Sequence, residues 1–408
     1  PYSAEISLAD YQTAELNPVR STDLLQSAAA PEKNPFYRYF QERLTAALAE
    51  TPAYCGFSVN YLSQAICAFA MIGFVKKQNP RQKIILGGSL ITSWLKTGRR
   101  RDIFSGLVDD MVEGPGEEFL LALLGKTDGG NKAALNYDDF AYDEYLTPGR
   151  IIPYSAASGC YWHGCSFCPE TAEGNQYRAE PATAAVAELQ RLNKEINPVL
   201  IHILDSALSP ALLLALAKQP PGAPWYGFAR VTPQLTDPDF CLALRKSGCV
   251  MLKLGIESGD QNVLDALRKG IKLSDAAAAL RTLKQSGIAA YVYLLLGTPP
   301  EDEASAFMTR DFILKHAGYI DFLNLAIFNL PILSAEAPAL ATRSFYKGDL
   351  SLYSGFRHPL GWERSKVRAF LEKTLKKNPT VAAILQRTPP CFTSNHAPFF
   401  VLNKAIEI

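Results

Sequence analysis

Histidine is scarce, with five in 408 residues and none before His163. Charge of one sign is missing too. The 41 Lys and Arg nearly cancel the 40 Asp and Glu, which argues against a surface built to coat nucleic acid. The most membrane-like apolar stretch, residues 65–75 (AICAFAMIGFV), stops at Lys76-Lys77. A bilayer span needs roughly 18 apolar residues, so this stretch reads as a buried helix and no membrane anchor is expected. Eight cysteines in a chain this long do not make a disulfide scaffold. Repeats and low-complexity tracts are absent as well. With 48% hydrophobic and 20% charged residues the chain is a globular one, long enough for two or three domains at roughly 150 residues each. It opens on Pro1 rather than Met, so the native start is expected upstream, with a removed leader left open.

What is present is an alternation of strands and helices. The GFSV stretch, residues 56–59, reads as a strand, followed by a helix through 61–77 and an apolar run at Ile84-Ile85-Leu86 stopped by Gly87-Gly88. Leu107-Val108 starts another strand-like piece, ended by Gly114-Pro115-Gly116, and a helix opens at Glu117. This rhythm predicts a Rossmann-like parallel sheet domain over 1–130. A Gly-, Asp- and Tyr-rich stretch predicts a linker at 131–150. Strands are then expected at 151–155, 199–204, 225–228, 250–255, 290–296 and 322–327. Helices are expected between them at 181–195, 209–218, 237–247, 273–286 and 303–316. Six such units predict a partial (β/α)6 TIM-type barrel over 151–330, with its site at the C-terminal strand ends. The remainder, 331–408, reads as a C-terminal extension, helical from 363 to 376 and otherwise irregular. The fold class is α/β.

The chemistry concentrates directly after the first barrel strand. Cys160, Cys165 and Cys168 form C-x4-C-x2-C, three thiols within nine residues, while Cys55, Cys67, Cys241, Cys249 and Cys391 are scattered. Three clustered thiolates suit three irons of a cubane cluster, leaving the fourth open to an exogenous ligand. A structural zinc wants a fourth protein ligand. His163 is the nearest, but its short tether between two cysteines makes a shared tetrahedron awkward. Iron–sulfur, zinc and unligated thiols all remain open on spacing alone. Metal-binding thiols imply a reducing compartment, so a cytoplasmic location is expected.

With these residues in view, the chain resembles a radical S-adenosylmethionine (radical SAM) enzyme. Members usually show C-x3-C-x2-C with an aromatic before the third cysteine; Phe167 is that aromatic, and the first gap here is one residue longer. Residues 225–270 resemble the third and fourth strands of the subset with an oxygen-independent coproporphyrinogen oxidase-like core. Gly255-Ile256-Glu257-Ser258-Gly259 matches its GIESG signature, and 288–302 its strand followed by a G-x-P-x-E turn. The resemblance implies that Cys160, Cys165 and Cys168 bind a 4Fe-4S cluster, with S-adenosylmethionine on the open iron. One electron, from a reductant such as flavodoxin or ferredoxin, would then cleave it to methionine and a 5′-deoxyadenosyl radical. It further implies Phe167 near the adenine, and Glu257 and Ser258 at the ribose or methionine moiety. Arg230 would meet the methionine carboxylate, and Asp205 and Ser206, after the second strand, the amino group. For Arg230 and Asp205 an ordinary ion pair at the barrel rim is the competing reading.

Residues 54–121 resemble the cobalamin-binding domain placed before many such barrels. That resemblance implies Ser58, Gly87, Gly88, Gly114, Gly116 and Glu117 as cobalamin-binding positions; paired glycines that merely permit tight turns are the alternative. The D-x-H-x-x-G signature is missing, so no histidine of this domain would reach cobalt. The leading expectation is a cobalamin-dependent radical methyltransferase acting on a small molecule or peptide. A radical cyclisation, ring contraction or rearrangement without net methylation is the alternative, and a zinc-stabilised binding module a remote one. Other signals read plainly. Arg99-Arg100-Arg101 fits a solvated turn, and the scattered cysteines fit core positions. Tyr161, Trp162 and His163 fit loop packing or a substrate contact, and Cys391 with His396 fits core packing or a C-terminal flap.

Overall fold

The computed structural model describes the chain except residues 1, 8–9, 99–101, 127–134, 139, 346, 390–395 and 402–408. The Arg99–Arg101 turn, Cys391 and the start of the expected linker lie outside the described residues. Among the described residues no helix is long and apolar enough to cross a membrane. The chain divides into two compact units. One comprises 1–134 with 331–333 and 342–355; the other comprises 135–330 with 334–341 and 356–408.

In the first unit three parallel strands, Tyr54–Ser58, Lys83–Gly87 and Asp110–Met111, pair in sequence order. The helix Leu62–Gln78 is apolar around most of its circumference because it is sandwiched, with Phe69 and Ile72 fully buried. Its crossing with Ser21–Ala29 is so close that a Cβ on Gly73 would lie 1.9 Å from the Ala28 carbonyl oxygen. Residues after 330 return to this core. Leu350 is fully buried in it and donates its N–H to the Val19 carbonyl at 2.9 Å. The strand expected at Leu107-Val108 begins later, at Asp110. Gly106, at φ 82°, closes a turn in which Leu107 N–H bonds Phe104 O, so the chain turns there before it extends.

The second unit contains six parallel strands, Ile151–Tyr154, Leu200–Leu208, Trp225–Ala229, Cys249–Glu257, Ala289–Leu296 and Phe322–Ile327. Each pairs only with its neighbours in sequence, so the first and sixth are the open edges of an incomplete barrel. The helices Ala182–Ile196, Pro210–Lys218, Pro238–Lys246, Leu273–Gln285 and Glu303–His316 connect them. Alternation assigns the two faces. Ile201, Ile203, Leu252, Leu254, Val292 and Leu294 pack under the helices. Leu200, Tyr226, Met251, Ala289, Tyr291 and Phe322 form a separate cluster on the concave face, with Ala397 and Val401 of the C-terminal segment.

Two expected boundaries change. Asp205 and Ser206 lie inside the second strand rather than after it. The first strand's ladder ends at Tyr154–Ile203, and beyond it the Asp205 carboxylate takes the Ala156 and Ala157 N–H groups. The expected helix at 363–376 is α-helical over Arg364–Phe370 and widens to a π-helix over Leu371–Leu375.

The turn after the fifth strand carries a measurable pH dependence. Glu301 is 1% exposed and accepts the Gly297 N–H, and burial raises its carboxyl to about 8. A carboxyl raised in the fold stabilises below its unfolded value of 4.5, and this contribution is lost as pH climbs through about 8. Glu301→Gln is therefore expected to flatten stability between those pH values and to stabilise the protein at pH 8 by on the order of a few kcal/mol. Thermal melts of both proteins across that range check it; parallel curves would refute it.

Candidate active site

The three cysteines sit in a loop at the C-terminal mouth of the six strands. Its neck is a two-residue antiparallel ladder, Ala157–Ser158 on Arg178–Ala179. Gly159 begins the loop at φ 71°, where a Cβ would come within 2.7 Å of the Gln176 carbonyl oxygen, so only glycine fits. His163 is also left-handed, at φ 46°. The loop is held onto the turn after the fourth strand: Ser166 N–H bonds Leu267 O at 3.0 Å, and Trp162 Nε1–H bonds Arg268 O at 3.1 Å. The Trp162 ring covers Gly270, where a Cβ would lie 2.1 Å from it.

Two cations back the loop. Arg230, 6% exposed, lies with its guanidinium 4.4 Å from the Trp162 ring centroid. It donates to Cys165 Sγ at 3.7 Å and to the Lys269 carbonyl. Lys269 Nζ is 2.7 Å from Glu257 Oε1 in a buried ion pair and 5.5 Å from the Phe167 ring centroid. Burial raises the Cys165 thiol, opposed by the charges of Lys269 and Arg230, and burial raises Cys168 as well. Cys160 and Cys168 are half-buried and Cys165 is buried. Glu257 adopts φ 69°, a left-handed conformation rare for a residue with a side chain and typical of strained functional turns.

The remaining candidates divide. Asp205, 2% exposed, accepts Ala156 N–H at 2.8 Å and Ala157 N–H at 3.2 Å, fixing the chain just before the cysteine loop, while burial raises its carboxyl. Ser206 is exposed on the other face of the same strand. Ser258, 1% exposed, accepts Asp260 N–H at 3.1 Å and lies 3.3 Å from Thr309 Oγ1, inside the turn. The structure thus joins Cys165, Phe167, Arg230 and Glu257 through Lys269 and Trp162. Lys269 was not among the expected residues. It lies twelve positions from Glu257 across a helix, and no spacing rule pairs the two.

The three cysteines share one loop, although among the described residues no group of three His, Cys, Asp or Glu side chains is arranged to hold a metal ion. A cubane spreads three thiolates over three irons, and the two flanking cations suit its negative charge. In the first unit, Ser58, Gly87, Gly114, Gly116 and Glu117 lie at or beyond the C-terminal ends of the parallel strands, the edge where such sheets bind ligands. Gly88 has a structural reason to be glycine. It sits at φ 103°, with a Cβ position 2.5 Å from the Val59 carbonyl oxygen. Gly116 has open space there, and Gly87 meets only Val112 Cβ at 3.8 Å.

Known proteins agree with this geometry. The family model described as Radical SAM superfamily matches residues 154–313. An uncharacterized methyltransferase of Pyrococcus horikoshii is 25% identical over 190 residues, covering 44% of this chain and 40% of that protein. The bacteriochlorophyllide d C-12(1)-methyltransferase of Chlorobaculum tepidum is 28% identical over 180 residues, 41% of this chain and 38% of that one. The chain thus matches well under half the length of these relatives. Among solved structures, the radical SAM methyltransferase TsrM of Kitasatospora setae, with tryptophan and a SAM analogue, superposes with a TM-score of 0.59 at 16% identity. That match covers 80% of this chain and 73% of TsrM. TsrM with cobalamin and a 4Fe-4S cluster gives 0.57 at 15% identity, covering 80% and 72%. Residues 154–313, which hold the cysteine loop and most of the six-stranded parallel sheet, thus match the Radical SAM superfamily model, and the strand order agrees with that match.

Proposed function

We propose that the chain is a cobalamin-dependent radical methyltransferase acting on a small molecule or peptide, supplied with single electrons by a reductant such as flavodoxin or ferredoxin. The observation that carries it is the cysteine loop pinned over the mouth of a parallel barrel by Trp162, with two buried cations behind it, in a chain that also has a parallel α/β unit. The methyltransferase names among the relatives, and the cobalamin held by TsrM, favour methyl transfer.

In this reading Cys160, Cys165 and Cys168 hold a 4Fe-4S cluster, which when bound supplies the electron that cleaves S-adenosylmethionine. The chain's own residues prepare that site. Asp205 fixes the backbone leading into the loop through two N–H bonds. Arg230 places a fixed positive charge beside Cys165 and is itself held by Trp162 and the Lys269 carbonyl. The Trp162 and Phe167 rings lie against Arg230 and Lys269, and the burial of these two cations strengthens their charges. Glu257 is oriented by Lys269 at the end of the fourth strand, where it would meet the ribose or methionine moiety.

Ser58, Gly87, Gly114, Gly116 and Glu117 would hold cobalamin at the edge of the three-stranded sheet, with no histidine from that unit on cobalt because none precedes His163. Gly116→Leu is expected to weaken cobalamin uptake while leaving fold and cluster intact. Gly88→Leu is expected to unfold the first unit, because its side chain meets the Val59 backbone. Cobalt content and circular dichroism of both variants check this; normal uptake by Gly116→Leu would remove that glycine from the site. The function is tested by anaerobic reconstitution with iron, sulfide, cobalamin, S-adenosylmethionine and a reductant. Iron and sulfide near four per chain, with 5′-deoxyadenosine by mass spectrometry, support the radical SAM chemistry. One zinc and no cleavage would overturn it, and cleavage by protein that takes up no cobalt would favour the non-methylating alternative.

A further inference from the structure

The concave face of the barrel holds a lysine that no carboxylate of the described residues pairs. Lys253 stands in the middle of the fourth strand, 4% exposed, on the register of Phe228 on one side and Tyr291 on the other. Its ammonium lies 4.9 Å from the Phe228 ring centroid and 5.3 Å from that of Tyr226. Among the described residues no carboxylate lies within ion-pair distance of it. Glu257, four residues further along the same strand and about 13 Å away at strand rise, is already paired with Lys269. The cation–π contacts offset only part of what a desolvated ammonium costs, so among the described residues the charge is under-compensated.

The surroundings say what would complete it. His202 stacks on Tyr226 at 4.2 Å and 9°, and Phe228 meets Tyr293 edge-on at 5.0 Å. Burial and the charge of Lys253 lower His202 to about 3, so it is neutral and adds no second cation. Burial lowers Lys253 itself to about 8, and burial pushes the Tyr293 hydroxyl up, so at pH 7 the group is one ammonium among neutral rings. Further up the second strand, on the same face as His202, Leu204 is 49% exposed and Ser206 is exposed, so the concave face above the rings opens to solvent.

We propose that Lys253 is the anion anchor of the substrate pocket, receiving a carboxylate or phosphate of a substrate whose planar or apolar body lies against the half-buried Phe228, Tyr293 and His202. The proposal rests on the radical SAM reading only in calling the ligand a substrate; the binding itself requires neither cluster nor cobalamin. It is tested by calorimetric titration of the full chain with indole-3-acetate, its neutral isostere indole-3-acetamide, and phenyl phosphate. An anion is expected to bind the native chain ~10-fold or more tighter than the amide, a charge-assisted hydrogen bond expressed as affinity. Lys253→Met should abolish the preference and Lys253→Arg should retain much of it. Whichever of carboxylate and phosphate binds tighter names the group. Equal binding of acid and amide, an undiminished preference in Lys253→Met, or no binding of any probe would overturn the proposal. Thermal melts provide an independent arm: removing an uncompensated charge should raise the melting temperature of Lys253→Met, and a lower one would show that the ammonium is already compensated where it stands. A chain that cleaves S-adenosylmethionine but shows no charge preference loses the anchor and keeps the radical SAM reading. Preference without cleavage does the reverse.

Discussion

Alanine at Cys160, Cys165 or Cys168 is expected to abolish cluster assembly and S-adenosylmethionine cleavage while the barrel stays folded. Three thiolates are what leave one iron of a cubane open, so losing any one removes a ligand for which the loop has no substitute. His163 is the nearest alternative donor, but its left-handed backbone is set within the run that Trp162 and Ser166 pin to the turn after the fourth strand. The fold should tolerate the change. Cys160 and Cys168 are only half-buried, and the loop is anchored by the ladder of Ala157–Ser158 on Arg178–Ala179 and by Trp162 rather than by sulfur. Iron and sulfide content, visible absorbance and 5′-deoxyadenosine yield read the loss, and far-ultraviolet circular dichroism reads the fold. A single variant that keeps a full cluster and full cleavage would strike that cysteine from the ligand set.

Lys269→Met is expected to be the most destabilising polar substitution in the barrel, by ~3–5 kcal/mol, because it leaves the Glu257 carboxylate buried without its partner. The two side chains are 7% and 12% exposed, so water replaces little of the lost attraction. The loss should reach the site as well. The Lys269 ammonium faces Phe167 and orients Glu257, so both lose a constraint, while the main-chain carbonyl that accepts from Arg230 is kept. The double variant Lys269→Met/Glu257→Gln should recover much of the stability, since both charges are then gone, but not the activity. Urea denaturation of the single and double variants measures the coupling. A double variant as unstable as the single one would mean that the loss comes from packing and not from charge.

The radical SAM domain was legible in the sequence because its signals are local. C-x4-C-x2-C, GIESG and G-x-P-x-E each lie within a dozen residues, and the strand and helix periods between them follow from burial on two faces. In the first unit the apolar helix 62–78 and the glycine turns after the strands were legible for the same reason, whereas the return of residues 342–355 to that unit was not. Asp205 was misplaced by a few residues, because a carboxylate that replaces a backbone ladder gives no periodic signal.

Only the tertiary structure decided the partners. Lys269 meets Glu257, and Arg230 reaches Cys165 sixty-five positions away, because parallel strands bring their C-terminal ends to one rim whatever their separation in sequence. Gly88 and Gly116 look alike as turn glycines, yet one abuts the Val59 backbone and the other faces open space. Lys253 was invisible for a further reason. Within an apolar strand a lysine reads as a break in the pattern, and only the fold shows that its ammonium lies against the Tyr226 and Phe228 rings of the third strand, with no acid among the described residues opposite. Composition and spacing determined which chemistry the chain carries. Where the charges are compensated, and where one is not, was decided by the fold, because electrostatic partners are set by distance in space and not along the chain.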